Sequence, residues 1–344
     1  MSTISNGMKK RFVKDTGIPI QIFEEPYFTY YLDLYDKIYN TRSKFELLQN
    51  AITSVGGEEQ LFEHRDHIIG RILTTIRERE GYKVFDAPKF DPNIPITKEF
   101  GRRDLFTDDH DKHSFFSIDL RQANFQCLYR FDPAIFEGAK DFTSYIQRYT
   151  NIPHFIECKS LRQLIFGNLN PKRQQSFQRA MMEDVLAPLI NRIGLTPNDA
   201  FFVSSDELII RYRHGTDYDI SEAWSCYERI ASILWSHFIN NHIDIRINIE
   251  LFDVHKLHPQ NMFVKHVRIA DPRVTSLSLK QPNRFILRLV PAHFVPQLIR
   301  YVEGTELTDA DLLFYYERML CRWMEPLKFD TPFCDLIGGK RLCR

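Results

Sequence analysis

The sequence lacks several signatures that would assign it to a functional class at once. Its six cysteines form no Cys-x-x-Cys pair, which argues against a disulfide framework and a cysteine zinc site and favours a reducing compartment. No apolar stretch reaches about 18 residues, so neither a transmembrane helix nor a membrane partner is expected. The polar, basic N-terminus is not typical of a secretory signal. A cytoplasmic or other reducing intracellular location is therefore predicted.

An excess of charge of either sign is also missing. The 45 Lys and Arg residues balance the 45 Asp and Glu residues, so any surface that attracts nucleic acid must be local. Neither a Gly-Lys-Ser/Thr phosphate loop nor a Gly-x-Ser-x-Gly nucleophile elbow is present. The length of 344 residues predicts one large or two modest domains, and the oligomeric state stays open.

Two apolar runs carry carboxylates at their ends. The first, 115–120, delivers Asp119, and the second, 201–210, has Asp206 and Glu207 at its centre, as expected of a hairpin turn. The segment 243–251 alternates apolar and polar residues, which predicts a strand with one buried face. Helical spacing fills much of the remaining chain. We expect an α+β fold built around an antiparallel sheet.

This pattern divides the chain into three predicted parts. Residues 1–112 form an N-terminal arm and helical region, of which 1–20 are a loosely attached arm. Residues 113–268 form the sheet domain, with a helical insert at 140–195. Residues 269–344 form a C-terminal α/β region that includes a helix at Asp309–Trp323, for which Thr308 is the candidate N-cap.

The acidic residues suit a pair of Mg²⁺ or Mn²⁺ ions, because these ions prefer carboxylate and carbonyl oxygens. Two such ions, roughly 3.5–4 Å apart, can clamp the attacking and leaving oxygens of a phosphoryl transfer. Asp119 would bridge both ions, with the Leu120 carbonyl beside it. Asp206 would close the site, and Glu207 would serve as a reserve ligand. The alternative is ordinary turn chemistry, in which Asp and Glu only stabilise the chain reversal.

Phosphoryl transfer also needs cations that neutralise the triphosphate. Candidate nucleotide-binding residues lie on the predicted helical insert and just after Asp119: Lys159, Arg162, Gln163, Lys172, Arg173, Arg121 and Asn124. The alternative for the insert is a solvated helix face. Arg121 and Asn124 would touch the sugar or a phosphate, or else only connect Asp119 to its surroundings.

At these residues the chain resembles palm-domain polymerases and nucleotidyltransferases. The pattern Ile118-Asp119-x-Arg121, followed by Asp206-Glu207 at a hairpin, is similar to the metal-binding pair of the tRNA-His guanylyltransferase family. Leu120 stands where that family has Gly. The resemblance, which covers about residues 113–255, implies a palm-like sheet of the ferredoxin or RRM type; the sequence pattern adds a helical N-terminal and a mixed C-terminal region on either side of it.

The predicted insert carries a second resemblance. Lys159-x-x-x-Gln163-x-x-Phe166-Gly167 resembles the Lys-x-x-x-Asn-x-x-Tyr-Gly fingers motif of family B DNA polymerases, in which the Lys contacts the phosphates of the incoming nucleotide. Gln and Phe replace Asn and Tyr here.

These resemblances imply a metal-dependent nucleotidyltransferase that takes nucleotides from nucleoside triphosphates and adds them to an RNA or DNA end. Two alternatives remain: a catalytically inactive palm protein that serves as a nucleic-acid-binding or scaffold factor, and an unrelated α+β protein. Three other groups of possible metal ligands exist, since imidazole suits zinc and iron. They are Asp253 with His255 and His258, the run 64–67, and the run 108–113.

Overall fold

The structure, a computed structural model, describes residues 4–87, 104–258, 260–270 and 284–329. The helices within these ranges are α1 (Asn6–Thr16), α2 (Tyr27–Tyr39), α3 (Thr41–Val55), α4 (Glu58–Glu78), α5 (Glu80–Asp86), α6 (Ala123–Phe131), α7 (Phe142–Ile146), α8 (Pro153–Glu157), α9 (Lys159–Gly167), α10 (Pro171–Ile193), α11 (Ile220–Asn240) and α12 (Val295–Glu303). The strands are β1 (His113–Leu120), β2 (Ala200–Val203), β3 (Glu207–His214), β4 (Ile247–His258), β5 (Met262–Ala270), β6 (Arg284–Arg288), β7 (Leu313–Tyr316) and β8 (Met319–Arg322).

The strands β1 to β6 form one antiparallel sheet in the order β2-β3-β1-β4-β5-β6. The chain leaves β1, passes through α6–α10, and returns as the β2–β3 hairpin. It then crosses through α11 to β4 on the other side of β1. The first four strands therefore have the split βαβ arrangement, in which a hairpin strand lies between the two strands of a crossover. The predicted α+β class with an antiparallel sheet is confirmed.

The two faces of this sheet differ sharply. Phe116, Ile118 and Leu120 of β1 point into the main hydrophobic core, which the helices complete. The alternate residue Phe115 belongs to a smaller cluster on the opposite face. Because strand side chains alternate between faces, Asp119 shares the face of Phe115 and lies outside the main core.

The N-terminal residues are part of the main core, so the prediction of a loosely attached arm is wrong. Ser5 caps α1 by accepting the Met8 N–H at 3.1 Å. Met8 and Phe12 are each 1% exposed, and the Phe12 ring packs edge-on against Phe45 at 5.1 Å. Two large apolar side chains one turn apart give this short helix a buried stripe, which stabilises it by tertiary packing rather than by propensity.

The predicted helix at Asp309–Trp323 is also wrong. Thr308 does begin a capping box, but only one 3-10 turn follows, at Asp309–Leu312. The chain then forms the β7–β8 hairpin, whose turn residues Glu317 and Arg318 both have positive φ. The aromatic run at 314–316 favours strand over helix.

The predicted boundaries at 112 and 268 stay predictions, because the main core runs from Met8 to Ile299 through all three parts. Residues 88–103 lie outside the described residues, as do parts of the C-terminal region. Within the described ranges, no helix is both long and apolar enough to cross a bilayer.

Candidate active site

The acidic residues predicted from the two apolar runs meet at one end of the sheet. Asp119 near the end of β1 is the direct partner of Glu207 at the start of β3. The neighbouring Leu120 N–H donates to the Asp206 carbonyl at 2.8 Å. Partners opposite each other on antiparallel strands have Cβ atoms about 4.5–5.5 Å apart. The residue that faces Asp119 is therefore Glu207, which the sequence had suggested only as a reserve ligand.

The two hairpin acids are held by hydroxyl groups. Ser204 Oγ donates to Asp206 Oδ1 at 3.0 Å. Ser117, two residues before Asp119 on the same strand face, donates to Glu207 Oε1 at 2.6 Å. Each carboxylate keeps lone pairs beyond the one that accepts the hydroxyl, so these contacts orient both acids without using up their capacity to bind a cation.

The sequence interpretation missed a buried ion pair on this face. Glu250 of β4 lies beside Ser117 in the sheet, and its Oε2 pairs with Lys265 Nζ of β5 at 3.0 Å. The Lys265 ammonium also sits 4.2 Å from the centre of the Phe252 ring. The sequence did hold a signal for Glu250. It occupies a polar position of the alternating segment 243–251, and these positions lie on the same sheet face as Asp119 of the neighbouring strand.

Burial and the neighbouring carboxylates raise the pKa of Asp119 from 3.8 to about 7. Desolvation is the largest cause, followed by the charges of Glu207, Asp206 and Glu250, while Lys265 acts in the opposite direction. Burial and nearby negative charges both destabilise the ionised form of a carboxyl group, so the group keeps its proton to a higher pH. Near neutral pH, Asp119 therefore needs either a proton or a cation.

Replacement of Asp119 by Asn is expected to stabilise the metal-free protein at alkaline pH. The folded-state pKa lies above the unfolded one, so the stabilising contribution of Asp119 is present below pH 3.8 and is lost as the pH rises through about 7. Asn avoids that loss, and we expect the free energy of unfolding at pH 8 to increase by about 1–3 kcal/mol. The difference from wild type should shrink toward pH 4. Urea unfolding in chelator at both pH values measures it, and an equal or lower stability at pH 8 would contradict the burial argument.

A pocket of about 380 Å³ opens at the same end of the sheet. Arg121, two residues beyond Asp119, and Arg246, directly before β4, contribute the basic part of its lining. The rest of the lining comes from α6, from α7 and from residues directly beside these two helices: Gln122, Phe125, Gln126, Asp141, Thr143, Ser144 and Gln147. The Asp141 carboxylate caps α7 by accepting the Ser144 N–H at 2.7 Å.

One buried amide fixes both arginine backbones. Gln126 Nε2 donates to the carbonyls of Arg121 and Arg246, and Gln126 Oε1 accepts the Arg246 N–H at 2.7 Å. Arg121 N–H also donates directly to the Arg246 carbonyl at 2.9 Å. Gln126 is only 5% exposed, so its three hydrogen bonds form in a low-dielectric setting, where they hold geometry firmly.

The basic residues predicted on the insert lie on elements that pack toward the N-terminal helices. Helix α9, which carries Lys159, Arg162 and Gln163, packs against α1 and α4, and its Ser160 donates to Asp15 at 2.7 Å. Lys159 and Gln163 are exposed, as is Lys172, and Arg162 is half-buried. Their predicted role in nucleotide binding stays a prediction.

Two of the predicted nucleotide ligands already have protein partners. The Arg173 guanidinium donates to the carbonyls of Phe85 and Ala87 at the end of α5. Asn124 Oδ1 accepts the side-chain amide of Gln178 at 2.6 Å. Arg173 therefore joins α10 to the end of α5, and its predicted role in nucleotide binding stays a prediction.

A second polar cluster lies on the main-core face of β4 and β5. Asp253 and His266 are direct partners on the two strands, and His255 follows Asp253 on the same strand face. Donor atoms of the three buried residues lie within 4.8 Å of one another. The sequence had grouped His258 with Asp253 and His255; the side chain of His258 lies outside the described part of the structure. His266 joins Asp253 and His255 from the neighbouring strand, a pairing that spacing along one strand could not show.

The charges around this cluster oppose a metal ion. Asp253 Oδ1 accepts from Ser114 at 2.6 Å and Tyr218 at 2.9 Å, and Asp253 Oδ2 pairs with Arg268 at 2.9 Å. Burial, Arg268 and Lys112 lower the pKa of His255 to about 4. The nearby positive charges of Arg268 and Lys112 repel a dication, and both Asp253 oxygens already have protein partners, so we interpret the cluster as a structural network.

The other two rival groups are engaged in packing or lie in an open depression. In the run 108–113, His110 Nδ1 contacts the Leu105 carbonyl, and Asp108 pairs with Lys256 at 2.6 Å. His64 and His67 line a broad surface depression on the N-terminal helices, where the His64 ring stacks on Phe155. Among the residues that the structure describes, neither group forms a set of three converging metal ligands.

Comparisons with protein-family models, curated proteins and solved structures found no match for this chain.

Proposed function

We propose that this protein is a metal-dependent nucleotidyltransferase that adds nucleotides to an RNA or DNA end. The observation that carries the proposal is the placement of Asp119 opposite Glu207 on adjacent strands, with Asp206 in the turn before β3. Acids drawn from a strand end and a neighbouring hairpin supply hard oxygen ligands from two directions. Mg²⁺ and Mn²⁺ both suit such ligands.

The sheet topology supports a palm-like interpretation of this arrangement. Strand order β2-β3-β1-β4 with a split βαβ connection is the ferredoxin-like topology that the resemblance to palm polymerases implies. The position of the insert, between the strand that carries Asp119 and the hairpin that carries Asp206, matches the order expected of fingers within a palm. A fold hosts many functions, so the proposal rests on the acids and uses the topology only as support.

The residues present fit a divalent cation. Burial, together with the anionic neighbours, raises the pKa of Asp119 to about 7, and a cation that replaces the proton relieves the repulsion from those neighbours. Asp119, Asp206 and Glu207 would hold one or two Mg²⁺ ions, with the Leu120 carbonyl as a further predicted ligand. The bound metal would supply charge neutralisation for the transferring phosphoryl group and for the attacking hydroxyl.

The protein's own residues orient and balance this site. Ser117 and Ser204 fix the hairpin acids. Lys265 offsets the charge of Glu250, so that the anionic charge is concentrated on the acids nearest Asp119. The rigid sheet fixes the separation between the two acidic strands, which is the preorganisation that phosphoryl transfer requires.

Metal affinity is expected to depend on pH through Asp119. Below pH 7 a bound proton competes with the metal, so we expect the Mn²⁺ dissociation constant to rise about tenfold for each pH unit from 7 down to 5.5 and to level off above 7.5. Titration of Mn²⁺ followed by electron paramagnetic resonance measures this profile. An affinity that stays constant between pH 5.5 and 7 would show that Asp119 is not a ligand.

Activity is tested by incubating the purified chain with labelled nucleoside triphosphates, a primed RNA or DNA strand and Mn²⁺. Incorporation that requires the metal supports the proposal, and parallel RNA and DNA arms identify the substrate. Failure with every triphosphate, strand type and metal would overturn it.

A second function is favoured by one observation. Glu250, the acid contributed by β4, is already neutralised by Lys265, as expected of a palm that has lost chemistry and serves as a nucleic-acid-binding or scaffold factor. Binding of single-stranded oligonucleotides without incorporation and without a requirement for metal would select this alternative.

A further inference from the structure

The pocket beside Asp119 is lined by two arginines whose side chains have no partner among the described residues. Arg121 and Arg246 both line it, and within the described part of the chain neither side chain has a hydrogen-bond, ion-pair or ring partner. Most other arginines near the sheet are engaged, as Arg268 is with Asp253. Two positive charges that line one pocket without a counter-ion create a positive potential there, and this potential favours the binding of an anion.

The backbone around these arginines is fixed, which distinguishes the pocket from a chance surface cluster. The buried Gln126 amide binds the backbones of both residues. A site whose charged groups are anchored in this way loses less conformational entropy when its ligand binds. Arg121 is exposed and Arg246 half-exposed, so both guanidinium groups remain reachable from solvent.

We propose that the Arg121–Arg246 pocket binds the polyphosphate of the incoming nucleoside triphosphate. This inference rests on the proposed function and relocates its triphosphate site from the basic insert helices to the end of β1. Guanidinium groups bind phosphate oxygens in bidentate geometry. Thr143, Ser144 and Gln147 add hydroxyl and amide groups to the same lining.

Size and position select a triphosphate over the backbone of a polynucleotide. The volume of about 380 Å³ falls in the range of small-ligand pockets, roughly 300–1,000 Å³. A polynucleotide instead requires a groove that continues from one phosphate to the next. The single carboxylate in the lining, Asp141, is committed to capping α7. Arg121 lies only two residues from Asp119, as a phosphate chain shared with metal-binding acids would require.

The test measures binding of inorganic tripolyphosphate, ATP and adenosine to the full-length chain by calorimetry in Mg²⁺. We expect tripolyphosphate and ATP to bind and adenosine not to bind. Arg121→Ala and Arg246→Ala should each weaken tripolyphosphate binding at least about tenfold, since each removes a charge-assisted contact. Arg121→Lys should recover part of the loss, because it keeps the charge without the bidentate geometry.

Arg192→Ala is the matched control. Arg192 is exposed at the end of α10, away from the pocket lining, and its replacement should leave tripolyphosphate binding unchanged. Thermal unfolding of each variant verifies that the fold is intact.

Three results would overturn the assignment: no tripolyphosphate binding by the wild type, unchanged binding in both arginine variants, or a loss in Lys159→Ala and Lys172→Ala that exceeds the loss in the arginine variants. If the arginine variants lost oligonucleotide binding but kept tripolyphosphate, the pocket would belong to the strand instead. Tripolyphosphate binding needs no chemistry, so the pocket assignment can hold or fail independently of the incorporation assay.

Discussion

Asp119→Asn is expected to abolish metal-dependent nucleotide incorporation, with a loss of about 10³-fold or more. The substitution keeps the shape of the side chain and removes the charge that would hold the metal. Metal assistance contributes several kcal/mol to phosphoryl transfer, and each 1.36 kcal/mol corresponds to a factor of ten in rate. Initial rates of incorporation at saturating Mn²⁺ provide the measurement.

The matched control is Asp217→Asn. Asp217 is an exposed acid beyond the far end of β3, and its replacement should leave incorporation unchanged. Activity in Asp119→Asn within tenfold of wild type would refute the assignment. Unfolding would not explain the loss of activity, because we expect Asp119→Asn to be more stable than wild type at pH 8. Such a trade-off between stability and function is expected where like charges are held together for chemistry.

Asp253→Ala is expected to lower the free energy of unfolding by about 3 kcal/mol or more. Asp253 is 0% exposed and accepts hydrogen bonds from Ser114, Tyr218 and Arg268. Its removal leaves the Tyr218 hydroxyl and the Arg268 guanidinium without this acceptor inside the protein, while Ser114 keeps the Gly215 carbonyl at 3.0 Å. Breaking one side of a buried ion pair typically destabilises by about 3–5 kcal/mol; partial exposure of Arg268 places this case at the lower end. Chemical unfolding monitored by circular dichroism gives the value.

A surface ion pair in the same protein supplies the comparison. Asp309 pairs with Arg322 at 2.6 Å, and both side chains are more than half exposed. Asp309→Ala should therefore change the unfolding free energy by less than about 1 kcal/mol. Equal effects of the two substitutions would show that the Asp253 network contributes no more than a surface pair. Specific zinc binding by the wild type that Asp253→Ala removes would contradict our structural interpretation of the cluster.

The sequence predicted the elements that carry the acids because strand periodicity and turn chemistry are local properties. The runs that end in Asp119 and Asp206 became β1 and the β2–β3 hairpin, and the alternating segment at 243–251 lies largely in β4. Asn170, directly before Pro171, likewise caps α10 by accepting the Arg173 N–H. Each of these elements is specified by residues within about ten positions of one another.

What the sequence could not provide was the register between distant strands. That Glu207 faces Asp119, that Glu250 and Lys265 share their face, and that His266 joins Asp253 all follow from strand pairing. Arg246 escaped notice for the same reason, since only folding brings it beside Arg121. The C-terminal hairpin was missed because the Thr308 capping signal is real but its helix stops after one turn, where the aromatic run begins.

The acidic residues and the pocket beside them lie on different kinds of structure, so sequence changes should affect the two differently. The acidic strands belong to one hydrogen-bonded sheet, so a change in their spacing would disturb every strand beside them. Most of the pocket wall comes instead from short pieces of the insert, above all α7, a helix of five residues. Substitutions or length changes there should therefore alter the shape and lining of the pocket while the acidic cluster of β1 and β3 stays in place. Related chains that differ in ligand preference should differ first around residues 141–147.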